Sequence, residues 1–116
     1  MPSLFEVSAG KLAGPTTGGT VTQATNKTTG VTLNAESGQI TMNNAALGAA
    51  AEASFTVTND KIAATDVVVA VHGSAGTAGS YLVGVTAIAA GSFEITVTNV
   101  SGGSLSEAIV INFVAL

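Results

Sequence analysis

The chain has 116 residues, 47% hydrophobic and only 9% charged, with three lysines, no arginine, no cysteine and a net charge of −4. Ordinary domains carry about 25% charged residues, and three scattered lysines on an acidic chain are too few to grip a phosphate backbone. The missing cysteines exclude disulfides and zinc–thiolate sites, the hydrophobic content argues against disorder, and no run of about 18 apolar residues is present to span a membrane as a helix.

Residues 1–19 (MPSLFEVSAGKLAGPTTGG) show neither helical nor strand periodicity, nor the basic and apolar regions of a signal peptide. They read as an extended N-terminal arm, with Phe5 and Leu12 as anchors that a plain linker would not carry. From Thr20 onward, strand signals recur. TVTQAT (20–25) alternates weakly, and VTLNA (31–35) points Val31, Leu33 and Ala35 one way and Thr32 and Asn34 the other. GQITMN (38–43) follows Glu36-Ser37-Gly38, which reads as a hairpin turn, with Ile40 and Met42 on one face. The alanine-rich stretch 44–53 reads as a loop, because Gly48 and its short length weaken a helix.

SFTVTN (54–59) is a strong strand with Phe55 and Val57 inward. DVVVAVH (66–72) is apolar on both faces, the pattern of a central strand covered on both sides. GSAGTAGS (73–80) reads as a flexible turn, and YLVGVTAIA (81–89) as a strand in which Gly84 marks a bulge or close approach. FEITVTN (93–99) and EAIVINFVAL (107–116) close the series, and the Ser/Gly-rich segment between them reads as a hairpin turn. About eight strands at roughly ten-residue spacing predict an all-β fold. The expectation is a β-sandwich or small β-barrel of mostly antiparallel strands over 20–116, with the arm at 1–19. An internal echo links 54–72 with 93–113: each has a Thr-alternating strand ending in Asn, a loop, an acidic residue and an apolar strand.

Natural sheets guard their edges with lysine, proline or bulges. These strands contain neither lysine nor proline, so either the sheet closes on itself or neighbouring chains cover its margins. Chemistry is sparse. His72 has no second His or Cys to share a metal with and reads as a strand-end residue bonded to backbone. Serines are plentiful, yet no Gly-x-Ser-x-Gly elbow organises a triad. The carboxylates show no acid–base spacing, and Asp60 and Asp66 bracket a loop without the ligand pattern of a calcium site. Gly73, Gly76 and Gly79 lack the Lys-Ser/Thr of a phosphate loop. NKT (26–28) and NVS (99–101) match the glycosylation sequon, and Tyr81 reads as a core anchor with its hydroxyl at the rim. The expectation is a non-enzymatic protein without cofactor or metal, which holds other proteins together.

The segments TVTQATNKTTGVTLNAESGQITMNNAAL (20–47), FTVTNDKIAATDVVVAV (55–71) and AGSYLVGVTAIAAGSFEITVTNVSGGSLSEAIVINFV (78–114) resemble small structural proteins of tailed-bacteriophage virions. Some of these look like capsid decoration (cement) proteins and others like domains of tails or tail fibres. The resemblance implies a virion protein on the outer capsid surface, a homotrimer that clamps major capsid protein subunits together. The sparse positive charge and the missing apolar run lead to the expectation of no nucleic-acid and no membrane partner. On that reading the arm lies along the shell, with Leu4, Phe5, Val7, Lys11 and Leu12 as contacts. The alternative is a tail or tail-fibre module that binds a receptor through loops such as 73–80.

Overall fold

Strict alternation of apolar and polar residues makes the middle of this chain β, because successive side chains of a strand leave on opposite faces. A computed structural model describes residues 18–116 in full, together with the backbone of Val7, Ser8, Lys11 and Leu12. In chain order the strands are β1 (Val7–Ser8), β2 (Lys11–Leu12), β3 (Thr20–Thr22), β4 (Val31–Thr32), β5 (Ser37–Thr41), β6 (Glu52–Thr58), β7 (Val68–Ser74), β8 (Tyr81–Ala89), β9 (Ser92–Asn99) and β10 (Val110–Ala115). There is no helix among the described residues. β1 and β2 form a two-residue antiparallel ladder, with Val7 opposite Leu12.

The other eight strands form two mixed four-stranded sheets packed as a sandwich. One has the order β3-β5-β10-β7 and the other β4-β6-β9-β8. Both follow the same plan: a parallel pair at one margin (β3 with β5, β4 with β6), then antiparallel pairing across the rest. The inward faces meet in one core. Ile40, Met42, Val57, Ile95, Val97, Ile109 and Ile111 are fully buried, and the rings of Phe93 and Phe113 pack 5.3 Å apart at a tilt of 55°. Each such side chain contributes about 1.5–3 kcal/mol by leaving water.

The strands lie where the alternation puts them, but several pairings differ from the sequence reading. β9 and β10 are not a hairpin: β9 pairs with β6 and β8, β10 with β5 and β7, and the segment between them crosses from one sheet to the other. β4 and β5 likewise lie in different sheets, and Ser37 and Gly38 belong to β5 rather than to a turn. Within the two four-stranded sheets the one sequential pair is β8–β9, joined at Ala90-Gly91, where Gly91 takes a φ of 83° that suits glycine. The bulge in β8 falls between Val85 and Ala87, just past Gly84.

β7 is not a central strand. It forms the margin of its sheet, and Val67, Val69 and Val71 face outward. The internal echo is a pair of sheet-crossing units. In each, the Thr-alternating strand enters one sheet and the apolar strand the other, and the two units pair antiparallel, β6 with β9 and β7 with β10. Both Thr-alternating strands run into a fully buried asparagine. The Asn59 side chain donates to Ala35 O (2.6 Å) and accepts from the N–H of Ala35 and of Lys61. The Asn99 side chain donates to Leu47 O (2.8 Å) and Gly103 O (2.9 Å) and accepts from Ser101. Each amide thus pins a crossing loop to the sandwich.

Candidate interaction surface

The two outer faces of the sandwich differ in chemistry. On the β4-β6-β9-β8 sheet the outward residues are mainly Thr, Ser and Glu, linked to one another: Ser54 to Thr96 (2.7 Å), Thr86 to Thr96 (2.9 Å) and Thr86 to Glu94 (2.7 Å). Leu82, 65% exposed on β8, sits on this face opposite Thr98. On the β3-β5-β10-β7 sheet only the β5 side is polar, with Gln39 donating to Asn112 (3.1 Å). Toward β7 the face turns apolar. Val67, Val69, Val71 and Leu116 are 60%, 46%, 50% and 40% exposed, and Val114 sits opposite Val69. The stripe arises because the run 67–71 carries valine at every odd position as well as Val68 and Ala70 at the even ones, so both faces of this run are apolar while only one is covered. Isolated exposed apolar residues are ordinary; a contiguous patch marks a contact surface.

At one end of β7 the loop 73–80 is fastened by Glu107. Its carboxylate accepts from the Tyr81 hydroxyl (2.8 Å), the Thr77 N–H (3.0 Å) and the Thr77 hydroxyl (2.9 Å). The Tyr81 hydrogen bond, and then the Thr77 N–H, hold the Glu107 carboxyl below the usual carboxylate range. Burial, together with that carboxylate, pushes the Tyr81 phenol well above its ordinary value. His72 packs edge-on against Tyr81 with centroids 5.5 Å apart, and its Nε2 lies 2.6 Å from Ala75 O and 3.0 Å from Ser74 O. A saturated carboxylate and a hard-to-ionise phenol make a clamp rather than an acid–base pair. His72 and Tyr81 occupy the positions read from the sequence, the first bonded to backbone and the second buried with its hydroxyl at the rim. Glu107 lies some way along the chain from both, with no local motif to announce the pairing.

Lys27 is a second residue whose role the sequence hides. It is 4% exposed, and its ammonium donates to the backbone carbonyls of Asn43 and Glu107, the latter at 2.6 Å. Burial lowers its pKa, partly opposed by the charge of Glu107. Beside it the buried Gln23 amide donates to Lys27 O and Thr29 O and accepts from the Asn43 N–H, each at 3.0 Å, so the β3–β4 loop is tied down from within.

Of the two sequons, Asn99 is fully buried and its amide engaged, whereas Asn26 is exposed and caps Thr28 and Thr29. Asp66 accepts from the Ala63 N–H (2.9 Å), and the Asp60 N–H donates to Asn34 Oδ1 (2.9 Å). Among the described residues no three His, Cys, Asp or Glu side chains gather as metal ligands, and no helix is long and apolar enough to cross a membrane. Of the contact residues expected in the arm, Leu4 and Phe5 lie outside the described residues, and Val7, Lys11 and Leu12 are described as backbone alone, in β1 and β2. The β7 stripe, which the sequence reading took for buried core, is instead the apolar surface that the fold presents. No protein-family model, no curated protein and no solved structure matches the chain.

Proposed function

We propose that this protein is a capsid decoration protein: it binds the outer surface of a phage head and stabilises it by bridging major capsid protein subunits. The observation that carries the reading is the exposed stripe of Val67, Val69, Val71 and Leu116, with the half-buried Val114 among them, along a sheet margin of a body whose other exposed large apolar residues, Leu82 and Val100, stand apart from it. A surface of that kind favours being covered by protein. The resemblance of segments 20–47, 55–71 and 78–114 to small virion proteins supports the same reading and brings with it a homotrimer at the shell, without catalysis or cofactor. A rigid, cysteine-free sandwich with buried amide pins suits a clamp that works by position. Contact with the shell through many weak sites at once gives tight attachment from modest individual affinities.

The test is addition of the purified protein to undecorated heads of the source phage. Saturable binding to the shell and a higher temperature of head disruption are expected, and deletion of residues 1–12 is expected to lower occupancy. Binding to tails or host cells with none to heads would replace this reading with the tail-fibre one.

A further inference from the structure

We propose that residues 76–79 are an acid-released flap: protonation of Glu107 frees them while both sheets stay paired, uncovering Ile109 and the His72–Tyr81 pair. The sheets fix the two ends of the loop 73–80. Ser74 stands opposite Val110 and Tyr81 opposite Asn99, and Ser80 O accepts from the Val100 N–H (2.9 Å). Between these ends, the hydrogen bonds from 75–79 to described residues outside the loop run to two side chains. One is His72, whose Nε2 lies 2.6 Å from Ala75 O. The other is Glu107, whose carboxylate takes both the N–H (3.0 Å) and the hydroxyl (2.9 Å) of Thr77. Gly76 and Gly79 flank that second tie at φ of 72° and 79°, the left-handed region that glycine enters freely, and so supply the hinges. Beneath the flap lies the fully buried Ile109: a Cβ at Gly76 would stand 2.6 Å from its Cγ2. Beside it is a cleft of about 300 Å³ lined by His72, Tyr81 and the loop itself.

The two ties answer acid differently. Nε2 of His72 faces the carbonyl oxygens of Ser74 and Ala75, which only accept, so it donates whether the ring is neutral or charged, and Ala75 stays held. Protonation of Glu107 removes the charge from the other tie, and a charge-assisted bond is roughly twice as strong as a neutral one. Release therefore begins past Ala75. The backbone of Glu107 stays where it is, because its carbonyl accepts from the buried Lys27 (2.6 Å) and Ile109 O accepts from the Met42 N–H (2.8 Å), bonds that do not involve the carboxyl. The titratable groups facing the carboxylate are Tyr81 of β8, His72 of β7 and Lys27 of the β3–β4 loop, with no second carboxylate among them. Tyr81 keeps its proton in acid, and a charged His72 or Lys27 favours the charged carboxyl. In the closed flap the Tyr81 bond, then the Thr77 contacts, hold the carboxyl below the usual carboxylate range. In the open flap the Thr77 contacts are gone, so the carboxyl binds its proton more tightly there. The flap is closed at neutral pH and opens as pH falls through the folded Glu107 value. This device does not rest on the capsid reading.

The experiment is an acid titration of the full chain followed by backbone amide relaxation and carboxyl-carbon NMR. As the Glu107 carboxyl titrates, order parameters at residues 76–79 are expected to fall from about 0.85, the rigid range, to below about 0.6, while those of the buried Ile95, Val97 and Ile111 hold. Glu107→Ala is expected to show the low values already at neutral pH. Should that variant fold poorly, Thr77→Val, which loses the hydroxyl bond to Glu107, is expected to move the transition to higher pH, and the wild-type titration decides without any variant. Rigid values at 76–79 after Glu107 has fully titrated overturn the proposal. So do low values in the wild type at neutral pH, or loss of the flap and core signals at one and the same pH.

Discussion

Single polar side chains decide how the loops of this sandwich sit. Asn59, Asn99, Gln23 and Lys27 are buried, and each is satisfied by backbone groups of a different segment. A buried amide bond stabilises by about 1 kcal/mol, but leaving its partner unpaired costs about 1–3 kcal/mol, so these positions tolerate little. Glu107 adds a pH-dependent element. Its carboxyl titrates lower in the folded chain than in the unfolded one, so the stabilisation is fully present above the unfolded carboxylate range and is lost as pH falls through the folded value. Tyr81→Phe removes the largest cause of that depression. The expected outcome is a Glu107 titration moved upward, read by carboxyl-carbon NMR, and an acid unfolding limb that begins at higher pH. An unmoved Glu107 titration would show that the Thr77 contacts suffice.

At the level of the strand, the sequence showed where β-structure lies and which residues face the core. It could not show partners. The alternation FEITVTN and AIVINF is the same whether the intervening turn closes a hairpin or carries the chain across to the opposite sheet. Periodicity reports the face of a strand, and only the third dimension reports its neighbour. β7 failed for a related reason. An apolar run reads as doubly buried, but Val67, Val69 and Val71 lack a covering layer within the described residues. The clamp was hidden because Glu107 meets Tyr81 only through tertiary packing. The difference between the faces is measurable. Phe93→Ala, at 1% exposure, is expected to destabilise by about 3–5 kcal/mol, a large part of a typical total of about 5–15 kcal/mol. Val69→Lys, on the outer face, is expected to shift stability by no more than about 0.5 kcal/mol. Denaturant midpoints at unchanged slope would check both.

Across the whole molecule, most contacts join residues far apart in the chain, because nearly every connection changes sheets. Chain entropy must be given up before such pairings return any energy, so folding is expected in the millisecond-to-second range rather than in microseconds. Stopped-flow fluorescence of Tyr81 would measure it, and a microsecond phase carrying the full amplitude would contradict it. The division into a hydrated Thr/Ser face and a half-apolar face also orients the body.

The placement of β10 has a consequence for biosynthesis. This strand, made after all the others, is seated between β5 and β7 and supplies both with their partner. While residues 110–115 are still inside the ribosome, the half of the sandwich they belong to lies divided, and the valines of β7 have no ladder to hold them. This half of the sandwich must therefore stay uncommitted while the preceding strands are made, and lock only after that segment emerges. The bare valine run is then most exposed to stray pairing just before β10 appears.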